Sequence, residues 1–408
     1  MKKMKTILSL ILICAILTLS ACTTQEKNLM EDIKPNQVNV SAAPLSQDEA
    51  VTDFALRLFR ASAKSGENTL LSPLSVLCAL AMTANGAENG TLEEMEAVLG
   101  MSVEALNFYL HSYMSNLPQE EACKLSLANS VWFSFTVNEE FLQTNADYYG
   151  ADIYQAPFNE ETCDQINNWV REKTDGMIPS ILEQLSPDAV MCLINALAFD
   201  AEWDDIYEEH EVREGIFTAE DGTEQEVDFM HSTEYSYLED ENATGFLKYY
   251  KGSKYAFVAL LPKEDVSVSE YLETLDGKTL HDLLSKPQNA QVFASIPKFE
   301  SEYSVQMNDI LKEMGMPTAF DAYNADFSGL GSFVDGNIYI SQVLHKTYIS
   351  VAEKGTKAGA VTSVIMYAGG ALLNEFKTVD LNRPFVYMLI DCESNTPFFI
   401  GTMMDVNN

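Results

Sequence analysis

Apolar residues recur at helical spacing where the polar N-terminal part of the chain gives way to a core. From Val51 to Leu58 they fall at i, i+3, i+4 and i+7, the spacing of one face of an α-helix. Ser46 and Glu49 have the spacing of a capping box, so the helix is predicted to begin near Ser46. Gly66 follows the periodic stretch and is predicted to end it.

Two further helices are indicated downstream. Pro73 follows Ser72 and suits the first turn of a helix, and the chain is almost wholly apolar from there to Met82. A helix that is apolar all round is buried, so this one is predicted to lie in the core. The stretch 164–173 is amphipathic, and Gly176 is predicted to cap its C-terminal end.

Strand patterns dominate the second half of the chain. The run 190–199 is continuously apolar, which is typical of a central strand covered on both faces. Helices come early and strands late, without regular βαβ alternation, so the pattern predicts an α+β fold with large sheets. Further strands are predicted over 255–261, 292–296, 337–351, 385–391 and 398–403.

The N-terminal stretch has the pattern of a targeting signal. A lysine-rich start is followed by an apolar run over 7–19, which is too short for a comfortable membrane span. The sequence Leu-Ser-Ala-Cys over 19–22 resembles a bacterial lipobox, in which the cysteine is lipidated. Ordinary signal-peptide cleavage beside an incidental cysteine is the alternative. The resemblance implies a protein lipid-anchored through Cys22 at the extracytoplasmic surface of a bacterial membrane.

These features divide the chain into three parts. Residues 1–21 are predicted to be a lipoprotein signal peptide, and 46–408 the folded domain. Residues 22–45 are polar, contain Pro35 and Pro44 and show no sustained period, so they are predicted to form a flexible tether.

Composition narrows the classes of partner. Lys and Arg number 25 against 61 Asp and Glu, giving a formal net charge of −36. A field of that sign repels phosphate backbones, so no nucleic-acid partner is expected, whereas a cationic protease would be attracted. Apart from Cys14 in the signal and Cys22 at the anchor, the chain contains five cysteines, and no two of them form a C-x-x-C motif. They are predicted to be buried thiols: Cys78, Cys123, Cys163, Cys192 and Cys392.

The chain lacks the sequence motifs of common enzymes. It has no G-x-S-x-G, H-E-x-x-H, P-loop or G-x-G-x-x-G motif, and an enzyme is not expected. A catalytic triad assembled over long range stays open. The acidic run 200–214 is interpreted as a solvated face rather than a calcium site. No metal or cofactor is predicted, because these histidines lack metal-ligand spacing: His111, His210, His231, His281 and His345.

One segment, 351–371, has an unusual composition for a strand. Alternate residues from Thr356 to Met366 share one face and are mostly small, so they could slide between existing strands without a clash. Gly355 precedes this run. The segment ends in an Ala-Gly-Gly-Ala tip over 368–371, which suits proteolysis.

The sequence Glu-Lys-Gly-Thr-Lys-Ala-Gly-Ala over 353–360 resembles the hinge of a serpin reactive loop. Other segments resemble serpin motifs in the same order along the chain, and the resemblance extends from about Ser46 to the end. They are Ser72-Pro73-x-Ser75, Asn195 with Trp203 eight residues on, 296–299, 325–329, His345 eight residues before Glu353, 381–385 and 397–401.

This resemblance implies a serpin fold, with a large central mixed β-sheet, further sheets, about eight or nine helices and an exposed reactive-centre loop over about 353–380. It implies a suicide inhibitor of serine proteases. The protease cleaves the loop, and the freed hinge inserts into the central sheet and traps the acyl-enzyme. The alternative is a non-inhibitory serpin that acts as a cell-surface binding protein.

Family motifs also assign residues. The hinge comprises Glu353, Gly355, Thr356, Ala358 and Ala360. Sheet opening involves a polar cluster under the parting strands and, at the top of the sheet, an ion pair from Glu353 to Lys298 beside Trp203. The residues of this region are Ser72, Ser75, Asn195, His345, Trp203 and Lys298.

The loop composition indicates a target class. No Arg or Lys occurs between Lys357 and Lys377, which disfavours trypsin-like proteases. No Asp or Glu occurs between Glu353 and Glu375, which disfavours caspase-like ones. Small residues favour elastase- or subtilisin-like proteases with cleavage after Ala368, and a chymotrypsin-like target stays open. A monomer is expected. No heparin binding is expected, because the segment 101–118, where some serpins carry a basic cofactor-binding helix, has no Lys or Arg. The scissile region is Met366, Tyr367, Ala368, Gly369 and Gly370, within a window ending at Leu373.

Overall fold

A computed structural model describes residues 26–39, 45–120, 123–186, 188–334, 336–356 and 376–407. In this part of the chain nine α-helices surround two large sheets. The helices are α1 (Leu45–Ser62), α2 (Pro73–Ala84), α3 (Asn89–Leu99), α4 (Val103–Ser115), α5 (Glu139–Tyr149), α6 (Glu160–Lys173), α7 (Val268–Thr274), α8 (Gly277–Ser285) and α9 (Asn308–Met314).

Sheet A has eight strands and carries the candidate site. Its order is β1-β5-β4-β6-β14-β13-β12, and β3 pairs with β4 at the side. The strands are β1 (Lys27–Asn28), β3 (Gln119–Glu120), β4 (Cys123–Phe133), β5 (Asp152–Gln155), β6 (Met191–Glu202), β12 (Phe299–Gln306), β13 (Gln342–Ala352) and β14 (Gly355–Thr356).

Sheet B has nine strands, in the order β15-β11-β8-β9-β10-β16-β17-β2 with β7 beside β8. They are β2 (Thr69–Leu71), β7 (Val212–Thr218), β8 (Glu224–Glu239), β9 (Ala243–Tyr249), β10 (Tyr255–Pro262), β11 (Gln288–Pro297), β15 (Phe376–Asp380), β16 (Phe385–Asp391) and β17 (Thr396–Met403).

Helix α2 lies in the core, as the apolar run predicts. All of its residues are buried, and it packs against β4 and β6 of sheet A and β17 of sheet B. The Ser72 side chain caps it by accepting a hydrogen bond from Ser75 N, and Pro73 occupies the first turn. Cys78, Ala79 and Ala81 are small, which allows the close approach to both sheets.

Several boundaries differ from the sequence predictions. Helix α1 begins at Leu45, so Ser46 lies inside it and does not cap it. Helix α6 begins earlier than predicted, because Asn159 caps it by accepting from Thr162 N at 3.0 Å. The predicted strand over 337–351 begins only at Gln342, since the backbone before it does not enter a strand ladder there: Ile340 N donates to Ala319 O in a short 3-10 helix.

The prediction of a flexible tether over 22–45 is wrong for residues 26–39. Strand β1 pairs with β5 at the edge of sheet A, and Leu29, Met30 and Ile33 pack against the core. Asn36 donates from its backbone and side chain to the Asp147 carboxylate, at 2.7 and 3.0 Å. The polar composition concealed these apolar anchors, because three apolar residues are too few to establish a helical or strand period.

The predicted cysteine chemistry agrees with the structure. The five cysteines of the described ranges are thiols rather than members of disulfides; four are buried, and Cys392 is partly exposed. Burial raises the pKa of the Cys192 thiol to about 12, which keeps it protonated and unreactive.

Within the described residues, no helix is long and apolar enough to cross a membrane.

Candidate functional site

The two central strands of sheet A are joined at one end and parted at the other. Strands β6 and β13 pair in parallel from Cys192 opposite Gln342 to Leu197 opposite Thr347. Beyond that point β14 lies between them, antiparallel to both. The start of the predicted hinge therefore occupies the place of an added strand. We call the directly paired part of β6 and β13 the seam.

Gly355 can occupy this gap only because it has no side chain. Its φ of +152° is rarely adopted by other residues, and a Cβ there would lie 2.0 Å from the carbonyl oxygen of Ala201. The sequence pattern assigned Gly355 to the hinge. The need for glycine at this position follows only from the close approach of strand β6.

Thr356 faces the buried side of the sheet, as the alternation predicts. It is 1% exposed, and its Oγ1 lies 2.5 Å from the Tyr250 hydroxyl. Tyr250 follows β9 and stacks on Trp203, with ring centroids 4.4 Å apart. Sequence reasoning missed Tyr250, because a tyrosine at the end of an apolar strand carries no motif.

The turn between β13 and β14 is fixed by the chain that follows β6. Trp203 donates twice to it, from its backbone N to Lys354 O and from Nε1 to Ala352 O, both at 2.9 Å. The backbone N of Tyr207 donates to Glu353 O at 2.9 Å. Three hydrogen bonds therefore position the turn from which the hinge starts.

The predicted ion pair at the top of the sheet is present. Lys298 Nζ lies 2.8 Å from Glu353 Oε1 and 3.4 Å from Asp228 Oδ2. The Glu353 carboxylate raises the pKa of Lys298, and Lys298 lowers the pKa of Glu353. About a third of each side chain in the Lys298–Glu353 pair is exposed, so the pair contributes little to stability.

A polar cluster lies beneath the seam and contains residues that the family motifs assigned to sheet opening. Ser75 Oγ lies 3.5 Å from Asn195 Oδ1 and 3.3 Å from Asn129 Oδ1, so its one hydroxyl proton is shared between these two acceptors. Ser72 N donates to His345 Nε2 at 3.1 Å. Asn129, on β4, is a member that the motifs missed. Asn195 Nδ2 is buried without a hydrogen-bond partner in the described residues.

His345 and Asn195 form a hydrogen bond across the seam itself. They are register partners on β13 and β6. Because Ser72 N–H needs an acceptor at Nε2, the histidine carries its proton on Nδ1 and donates it to Asn195 Oδ1. Burial lowers the pKa of His345 to about 3, so the ring is neutral at physiological pH.

Some predicted site residues lie outside the described residues. They are Cys22, Ala358, Ala360 and the scissile region Met366, Tyr367, Ala368, Gly369 and Gly370. Among the residues that are described, no group of three His, Cys, Asp or Glu side chains could hold a metal ion.

Comparison with known proteins agrees with this fold. A family model described as Serpin (serine protease inhibitor) matches residues 49–406. An uncharacterized serpin-like protein of Thermococcus kodakarensis is 31% identical, over 87% of this chain and 85% of its own length. The human leukocyte elastase inhibitor is 29% identical, over 86% of this chain and 97% of its own length. The chain belongs to the serpin family, whose members are generally protease inhibitors rather than enzymes.

The similarity extends to solved structures. The thermophilic serpin tengpin in its native state is 51% identical, with a TM-score of 0.89 over 93% of this chain and all of its own. The same protein in its latent state aligns with a TM-score of 0.80, over 91% of this chain and all of its own. This chain is therefore closer in shape to the native form.

Lowering the pH from about 7 to about 5 should destabilise the fold through His345. Below its ordinary pKa the unfolded chain takes up a proton, whereas the folded ring stays neutral until about pH 3. Stability therefore falls with pH, by about 2 kcal/mol from this group over that interval. The free energy of the first unfolding transition in urea, measured at both pH values, gives this difference. His345→Asn should lack this loss, and an unchanged loss would contradict the assignment. Exposed His210→Asn is the control.

Gly355→Ala should expel the hinge from sheet A. The added Cβ cannot coexist with the Ala201 carbonyl at 2.0 Å, so β14 must leave the gap. The rate of tryptic cleavage after Lys354 measures the release and should rise about tenfold, as expected for a local segment losing its protection. Gly90→Ala is the control, because a Cβ there meets nothing within 4 Å. Equal rates of cleavage after Lys354 in the two variants would refute the requirement for glycine at residue 355.

Proposed function

We propose that this protein is an inhibitory serpin that traps a serine protease by inserting its cleaved loop into sheet A. The observation that carries the proposal is the position of β14 between β6 and β13. An inhibitor of this type needs a sheet that can accept a strand, and here the first two residues of that strand are already accepted.

Extending the β14 register predicts how far insertion can proceed. Thr356 lies opposite Ala201 in an antiparallel ladder, so each further loop residue would meet the preceding residue of β6. Ile365 would then lie opposite Cys192, near the start of β6 at Met191. Insertion would thus consume the hinge up to the scissile region that begins at Met366.

The same register would require small residues on one face of the inserting segment. Ala358 would lie beside Phe199 and Ala360 beside Leu197, both buried in the main core. Thr362 would lie beside Asn195, where its hydroxyl could accept a hydrogen bond from the unpartnered Nδ2. Insertion would therefore break the His345–Asn195 bond and offer Asn195 a new partner.

We propose an elastase- or subtilisin-like protease as the target. Small residues fill the loop window from Ala368 to Ala371, and the net charge of −36 would attract a basic protease.

The test is a denaturing gel of the chain from Thr23 onward after mixing with elastase, subtilisin or chymotrypsin. A band at the summed mass, with a released peptide that begins between Tyr367 and Leu373, is expected. Clean cleavage without a complex by all three proteases would refute inhibition by this route.

Ala358→Arg should convert the inhibitor into a substrate. In the extended register this residue would lie against buried Phe199. Burying an unpaired charge costs several kcal/mol, which would slow insertion below deacylation. The stoichiometry of inhibition should rise at least about tenfold. Lys357→Arg is the matched control, because in the extended register residue 357 would face the opposite side of the strand. Normal complex formation by Ala358→Arg would contradict the hinge register.

We also propose that the chain is anchored to a bacterial membrane through Cys22, which lies at the end of a lipobox-like sequence. Cys22→Ser in the full chain should abolish incorporation of labelled palmitate and release the protein from the membrane fraction. Cys14→Ser is the control, because that residue lies within the signal. Palmitate incorporation by the Cys22 variant would overturn the proposal.

A further inference from the structure

Tyr250 is placed to control the hinge, although no sequence motif contains it. Its ring is fully buried between Trp203, stacked at 4.4 Å, and Phe199, which meets it edge-on at 4.9 Å. This packing fixes the ring and so fixes the position of the hydroxyl. The hydroxyl points at Thr356, the first inserted residue that has a side chain.

The hydrogen bond between these hydroxyls links two buried groups. Both residues are at most 1% exposed. When a buried hydrogen bond loses one partner, the remaining polar group bears the cost of its desolvation. Withdrawal of the hinge would leave the Tyr250 hydroxyl in the core, whereas Thr356 would become hydrated.

The Tyr250 contact is continuous with the bonds that hold the turn. Trp203, on which Tyr250 stacks, donates to Ala352 O and Lys354 O on either side of Glu353. Lys248 Nζ lies 5.5 Å from the centre of the Trp203 ring and forms an ion pair with Glu234 at 3.0 Å. The indole is therefore held from several sides, and Tyr250 joins it to the inserted strand.

We propose that Tyr250 is a positioning residue that acts as a catch, holding Thr356 inside sheet A before any protease arrives. The catch sets how much of the loop is already inserted in the uncleaved protein. Releasing it would withdraw the two residues of β14 from sheet A and would close or hydrate the gap beside Ala201. Its significance for inhibition rests on the proposed function, but its existence does not.

Hydrogen exchange of the uncleaved protein, without protease, tests the catch. Tyr250→Phe keeps the stacked ring and leaves the Thr356 hydroxyl buried without its partner. Exchange in peptides covering 198–204 and 349–356 should rise about tenfold, the effect of losing one partner of a buried hydrogen bond. Unchanged exchange in these peptides would overturn the proposal.

A second variant distinguishes the hydrogen bond from general loosening. Thr356→Val should also raise exchange, because it leaves the Tyr250 hydroxyl without a partner. The double variant should return toward the parent protein, since two apolar groups of similar shape replace the bonded pair. Exchange in the double variant at the product of the two single effects would overturn the catch.

Tyr255→Phe is the matched control. Its hydroxyl is buried without a hydrogen-bond partner in the described residues, and its ring packs on Phe199 at 5.6 Å, as Tyr250 does. It should leave exchange at the hinge unchanged, and a rise equal to that of Tyr250→Phe would overturn the proposal. A confirmed catch together with no trapped protease would refute the proposed function alone.

Discussion

The seam between β6 and β13 is the constraint on which the rest of the site depends. Over the seam these strands pair directly, and His345 donates across it to Asn195. Above the seam the same strands are parted by β14. A sheet closed at one end and open at the other holds a defined starting point for a further strand, because the ladder already begins at Gly355.

The polar cluster shows why the closed end holds and why it could open. Ser72 N and the Asn195 side chain satisfy both nitrogens of a histidine that burial keeps neutral. Yet Asn195 Nδ2 is unpartnered within the described chain, which is costly for a buried group. Such a partly satisfied network favours an arrangement that supplies the missing partner.

At the open end, aromatic packing adds to the short ladder that β14 forms with β6 and β13. Trp203 and Tyr250 form a buried stack that contacts the turn, the hinge and, through Lys248, sheet B. The exposed Lys298–Glu353 pair lies over the same turn but contributes less, because solvent screens it. The hinge is therefore positioned mainly by buried contacts, to which the motif residues Trp203 and Thr356 and the unrecognised Tyr250 all contribute.

The sequence by itself determined the family, the buried helix at Ser72–Pro73 and the face of the hinge on which Thr356 lies, because these depend on local period and residue type. Only the tertiary structure decided the partners of that hinge, since Tyr250, Asn129 and Ala201 come from distant strands that no spacing connects. It likewise decided the docking of residues 26–39, where Leu29 and Ile33 bind a surface that exists only after folding. Periodicity reports which face is apolar, whereas register and close approach depend on which strands become neighbours.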